Sequence, residues 1–421
     1  LMQNKEDYMK KALSILLAMG MTVGMVAGCG DTADNSSAAA STEAGTDGTQ
    51  AAASAADIKV GVIYIGDENE GYTAAHMAGI DEMAANLGLS DDQIIEKTTI
   101  PEDESCYDAA ADLADQGCNI IFATSFGHET YILQAAQEYP DIQFCHATGY
   151  QAASSGLSNM HNYFDAIYEA RYVSGVVAGM KLNEMIENGD ITADQAKIGY
   201  VGAFPYAEVI SGFTSFYLGA KSVCESVTME VQYTNSWADM TAEGEVANQL
   251  IADNCVLISQ HADTTGAPSA CETAGVPCVG YNVDMTSVAP DAALTSPTNN
   301  WGVYYTYAVQ CVLDGKAIDT DWCKGFSEDA VRITPVNEAV AAEGTDAKVE
   351  EVEAALKDGS LHVFDTSTFT VNGSSLEDLI AEGGDYAKYA DYVSDGYYHE
   401  SELASAPSFD IIIDGITSQA N

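Results

Sequence analysis

The chain of 421 residues carries 64 Asp and Glu against 15 Lys and Arg, a formal net charge of −49, and 47% of its residues are apolar. That field repels nucleic acid and anionic headgroups, which excludes DNA, RNA and polybasic membrane contacts and suits a neutral or cationic ligand. The apolar share suffices for packed cores, and the length allows more than one domain.

At the N-terminus Lys10 and Lys11 precede an apolar run at 12–28 that is short for a spanning helix and has the flanks of an export signal. The run ends in VAGC, small residues ahead of Cys29, which resembles a bacterial lipobox; Cys29 would then be the lipidated mature N-terminus. The alternative is an ordinary secretory signal. Residues 30–56 are Ser, Ala, Thr, Gly and Asp with almost no large apolar side chain, so they read as a flexible tether.

From Asp57 apolar runs alternate with amphipathic stretches. Strands are expected at 59–66, 119–125 and 143–149, with helices at 73–88 and after 128 and a long helix at 165–189. The pattern restarts at 197–204, then runs through a helix from Glu208, a strand at 228–237, a helix from Ala242, strands at 256–262 and 276–282, and a segment at 293–301 leading into a helix. Continuous apolar strands between helices imply parallel sheets covered on both faces. Two such sets imply two lobes: 57–190 with a returning segment near 285–325, and 191–284 with part of the C-terminal segment. The acidic, Tyr-rich residues 326–421 are expected to wrap the lobes, with SFDIIIDGI as a last strand.

Ligands of open parallel sheets bind outside the carboxyl ends of the strands. The residues expected there are Gly66, Asp67, Ser125, Phe126, Gly127, His128, Phe204, Pro205, Tyr206, Ser236, Trp237, His261, Ala262, Asp263, Asn282, Val283, Asp284, Asn299, Asn300 and Trp301. Aromatic, His, Asn and Asp side chains suit a polar small-molecule pocket with flat walls. Glu208 opens a helix, where the dipole favours a carboxylate, and Glu169 with Arg171 reads as a structural charge pair. Three histidines on separate loops lack ligand spacing, so no metal and no cofactor is expected. Ten cysteines contain no C-x-x-C; Cys271 and Cys278 are near enough in sequence to pair.

Residues 59 to about 326 carry GVIYIGDENEGYTAAHMAGI, ARYVSGVVAG, KIGYVGAFPYAEVISGF, TNSWAD, GYNVDM and LTSPTNNWG in order. The set resembles the basic membrane lipoprotein family, substrate-binding proteins of ABC importers similar to purine nucleoside receptors, in a branch with a "GWTYAH"-like motif. The resemblance implies a type I periplasmic-binding-protein fold: two doubly wound lobes about a hinged cleft that closes on a purine. It also implies a lipid-anchored, extracytoplasmic monomer working with a permease and an ATPase. It matches Tyr72 and Trp237 to the aromatic walls of a base sandwich. His76 lies one helical turn after Tyr72, and Asn300 and Trp301 would line the hinge side. The family's acidic ribose contact falls on Asn282, with Asp284 two residues on. An amide suits a base edge through a two-bond contact with adenine, so a free adenine-like base is favoured over a nucleoside. The rivals are a receptor of the same fold for a sugar-like or signalling ligand, and a purine nucleoside hydrolase using Asp67 or Asp263 as acid or base. No G-x-S-x-G, P-loop or H-E-x-x-H supports an enzyme.

Overall fold

The computed structural model describes residues 53–419; the expected leader, Cys29 and the tether up to residue 52 lie outside them. The first lobe is built from β1 (Val60–Ile63), α1 (Gly71–Leu87), β2 (Ile94–Lys97), α2 (Ser105–Asp115), β3 (Ile120–Ala123), α3 (Glu129–Glu138), β4 (Gln143–Ala147) and β5 (Met160–Tyr163). The chain then enters α4 (Ile167–Asn188), β6 (Lys197–Gly202), α5 (Ala207–Val223), β7 (Thr228–Tyr233), α6 (Met240–Ala252), β8 (Leu257–Gln260), α7 (Gly266–Ala274) and β9 (Cys278–Val279). It returns through β10 (Pro297–Asn299), α8 (Gly302–Asp314), β11 (Asp321–Trp322) and β12 (Val331–Ile333). The tail holds α9 (Thr345–Lys357), α10 (Leu376–Glu382), β13 (Val393–Ser394), β14 (Tyr397–Tyr398) and β15 (Ile416–Gln419).

One sheet has the order β11-β5-β4-β3-β1-β2 and the other β15-β7-β6-β8-β9, and every pairing in both is parallel. Central strands buried on both faces explain the unbroken apolar runs. In each sheet the order reverses at its first strand, between β1 and β3 and between β6 and β8, which is where such folds leave a crevice. The chain crosses between lobes three times, after β5, after β9 and after β11. Two of the crossings pair as an antiparallel ribbon, Pro297 opposite Ile333 and Asn299 opposite Val331.

Several expectations need correction. The long helix α4 was placed in the first lobe but packs on α5 of the second, because the chain crosses at 164–166, before the helix. β2 and β5 carry no apolar run. IIEK is a part-exposed edge strand, and MHNY buries His161 and Asn162 by pairing them with Gln143, Glu129 and backbone. SFDIIIDGI is not the last strand; β15 is Ile416–Gln419, beside β7. In the stretch before it the carboxylate of Glu400 accepts the backbone N–H groups of Ser408 and Phe409 that a ladder would have used. The cysteines of the described residues are thiols, so Cys271 and Cys278, both buried, are not joined.

Candidate functional site

The two lobes meet at Asp263, three residues beyond β8. Its backbone N–H donates to the carbonyl of Trp237 (2.8 Å), and its own carbonyl accepts from the N–H of Gly71 (2.9 Å) in the other lobe. A methyl on Gly71 would come within 3.1 Å of that carbonyl and 3.5 Å of Asn282 Cβ, so glycine is what lets the two backbones touch. The side chain of Asp263 accepts from Asn282 Nδ2 at 2.8 Å. Asn282 sits at φ 65°, a left-handed conformation that asparagine tolerates. Its N–H donates to Pro297 O (3.0 Å) and its carbonyl accepts from Thr298 Oγ1 (2.6 Å).

Carboxyls crowd this seam. Glu70 caps α1 by accepting the N–H groups of Tyr72 and Thr73, and Glu243 accepts from Thr264. Burial, then the charges of Glu70, Glu243 and Glu208, raise the Asp263 carboxyl well above its ordinary range. Burial likewise raises Glu70 and lifts Glu243 to about 7.

Behind the seam, Tyr72 donates its hydroxyl to Thr124 O (2.8 Å) and turns its ring edge to His76, with centroids 4.4 Å apart. His76 stacks on Trp301 at 4.1 Å and 16°, and its Nδ1 meets the Tyr305 hydroxyl at 2.6 Å. Both rings are fully buried, yet His76 Nε2 and Trp301 Nε1 have no hydrogen-bond partner. Burial drives the imidazole well below its ordinary pKa, so it is neutral. Towards solvent a second aromatic run crosses the cleft. Half-buried Trp237 faces Phe204 edge-on (5.1 Å), Phe204 stacks on Tyr206 (5.1 Å), and Tyr206 stacks on Phe126 of the other lobe (5.4 Å).

Not every expected residue joins these clusters. His261 is buried below the seam and pairs with Glu208 at 2.5 Å; burial, then the neighbouring Arg171 charge, lowers its pKa. His128 is buried beside Ile100, whose carbonyl its Nε2 meets at 3.0 Å, and Gly127 gives its N–H to Glu102. Asp67 closes a local turn with Asn69. Asp284 is exposed and accepts from Thr286 N, and Asn300 donates to Asp329 O. Among the described residues no three His, Cys, Asp or Glu side chains are placed to hold a metal.

One expectation about pairing is overturned. Glu169 accepts from Phe326 N, whereas Arg171 reaches Tyr200, Gln260 O and the face of Tyr281, so the two are not a charge pair. One N–H of the Asn282 amide is given to Asp263, and its carbonyl oxygen has no partner. Glu70 and Glu243 went unnoticed in the sequence, and Gly71 was read only as allowing a tight turn before Tyr72. Glu70 caps its helix without the Ser, Thr, Asp or Asn that would have announced a helix start.

The model of the family of PnrA-like ABC transporter substrate-binding proteins, Bmp, matches residues 58–361. A purine-binding protein of Brucella abortus is 34% identical over 311 residues, 73% of this chain and 83% of that one. A provisionally named ABC transporter glucose-binding protein of Haloferax volcanii is 36% identical over 197 residues, 47% of this chain and 46% of that one. An ABC transporter solute-binding protein of Aeropyrum pernix aligns in structure with a TM-score of 0.59 at 17% identity, covering 77% of this chain and 96% of that one. Among the described residues no helix is long and apolar enough to cross a membrane.

Proposed function

Because the chain belongs to the Bmp family of PnrA-like ABC transporter substrate-binding proteins, we propose that its cargo is a purine, an adenine-like base ahead of a nucleoside. The family works on the extracytoplasmic side, delivering small ligands to a transporter. In our reading this chain does so as a monomer held at the membrane by a lipid on Cys29.

The observation that carries the reading is Asp263. Its backbone ties the loop of Trp237 in one lobe to the loop of Gly71 and Tyr72 in the other. The Gly71–Asp263 bond exists only when the lobes are together, and in our reading it draws the Tyr72 and Trp237 loops towards one ligand. Stacking is worth about 1–3 kcal/mol per base and accepts any purine, because each has a π-face. Asn at 282 gives one acceptor where a carboxylate would hold two ribose hydroxyls, which favours a base over a nucleoside. The similarity to a purine-binding protein points the same way. Ligand-driven closure then needs contacts that neither lobe makes alone. The relatives are binding proteins, so Asp67 and Asp263 are given no catalytic role.

The similarity to a glucose-binding protein supports a second reading, a sugar in the same carboxylate-lined seam. Isothermal titration with adenine, adenosine, guanosine and glucose, with tryptophan fluorescence followed in parallel, separates the two. Trp301 packs in the same cluster as Tyr72, so Trp237→Ala is what assigns a change of emission to Trp237. Adenine should bind most tightly and quench, and Trp237→Ala should weaken it about 5- to 150-fold, the loss of one stack. Heat from glucose alone would replace purine by sugar. Conversion of adenosine to its base during the titration would make the protein a hydrolase.

A further inference from the structure

Asn282 is 3% exposed and its side-chain amide is half used: Nδ2 donates to Asp263 Oδ1 at 2.8 Å, while Oδ1 has no partner. That bond sets the orientation: with Nδ2 given to Asp263, the amide turns its carbonyl away from the carboxyl. The backbone of Asn282 is pinned on both sides, to Pro297 O and Thr298 Oγ1, so the residue cannot swing away to find water. Its Cβ lies against Gly71, next to Tyr72 of the opposite lobe. A buried, unpaired, directed acceptor beside an expected aromatic wall is half of a hydrogen bond, and the ligand has to supply the donor.

We propose that Asn282, with its amide locked by Asp263, is the specificity-determining residue of the cleft and selects an amino-substituted purine over a 6-oxopurine. This rests on the purine reading above. The exocyclic N–H of an amino group completes Asn282 Oδ1. A 6-oxo group places acceptor against acceptor, and unsubstituted purine leaves Oδ1 empty. An unsatisfied buried acceptor corresponds to about a 5- to 150-fold loss of affinity. Asp263 acts here as a positioning residue through its side chain alone, because the bonds that hold the Trp237 and Gly71 loops are made by its backbone.

The test is a titration panel of adenine, unsubstituted purine and hypoxanthine on the wild-type chain and on Asp263→Ala. Wild type should bind adenine at least 5-fold more tightly than purine, with hypoxanthine weakest. In Asp263→Ala the amide is free to turn over and offer its NH2 to a 6-oxo group, so the ratio of adenine to hypoxanthine should fall towards one. A purely structural role would weaken all three ligands alike and leave the ratio unchanged. Should Asp263→Ala not fold, Asn282→Ala removes the acceptor itself and must erase the same ratio. Hypoxanthine binding as well as adenine to wild type, or a ratio that survives in the variant, overturns the assignment while purine remains the cargo. A panel with no binding at all removes the purine reading and this inference with it.

Discussion

At the scale of single residues, the site depends on side chains that leave no room for alternatives. Gly79 on α1 faces Trp301; a methyl there would lie 2.7 Å from Trp301 Cβ and 2.8 Å from the Gly302 nitrogen. Those atoms are backbone-bound and cannot yield. Gly79→Ala should therefore gain a little helix propensity and lose far more by overpacking, a net cost of about 1–3 kcal/mol by urea unfolding. It should also displace the His76–Trp301 stack and weaken ligand binding. A variant as stable as wild type would mean that α1 and α8 are less tightly pressed. Arg171 illustrates the opposite economy. It is fully buried, and its guanidinium is held by Tyr200, the Gln260 carbonyl and the face of Tyr281 at 3.7 Å, so it organises the region below His261.

At the scale of elements, the second lobe is held together by the close packing of α4 on α5. Methyls on Gly175 or Gly179 of α4, or on Gly219 of α5, would overlap backbone carbonyls of the facing helix. The helices pack backbone to backbone, which only glycine allows. Gly175→Ala should cost about 3 kcal/mol, the upper end of ordinary overpacking, and a melt showing no loss would mean the helices can part. The tail is anchored to this same pair. Glu400 accepts from Ser211 on α5 and from Ser408 and Phe409, and the Tyr168 hydroxyl of α4 reaches its carbonyl. Ser405 donates to Asp321 at the edge of the first sheet, while β15 extends the second. The family match stops at residue 361, so this wrapping belongs to the part of the chain beyond it.

At the scale of the molecule, closure brings carboxyls together. Glu70 comes from one lobe, and Asp263, Glu208 and Glu243 come from the other. In the closed seam burial and these neighbours raise Asp263 above its ordinary value of 3.8, while burial and the nearby Asp67 charge raise Glu70 above 4.5. A group whose pKa rises on closure binds its proton more tightly in the closed form, so closing takes up protons. The stabilisation is full below the ordinary values and is lost as the pH rises through the raised ones. Ligand affinity should accordingly weaken as the pH is increased from below 4.5 to neutrality. Titrations in buffers of different ionisation enthalpy should show proton uptake on binding. Affinity that grows with pH, or proton release, would place ionised carboxylates in the closed seam.

Much of this was legible in the chain itself. Runs such as VGVI and IIFA, buried on both faces, announce parallel strands because their burial needs no partner of particular identity. The order of motifs from Lys59 to Phe326 was enough to reach the family; Trp237 stood out as an aromatic at a strand end, whereas Tyr72 came only from the resemblance. The tertiary structure alone decided the rest. Glu70, Gly71 and Asp263 form one seam only because β1 and β8 end opposite each other, and nothing local in GDENEGY or HADTT records that distance. MHNY became a strand because its His and Asn found partners from elsewhere in the fold. Asn282 turned its carbonyl outward because Asp263, 19 residues earlier, took one of its amide hydrogens. Apolar patterning is a property of neighbours along the chain and can be read there, whereas a buried hydrogen bond is a property of two distant segments and exists only once both have folded.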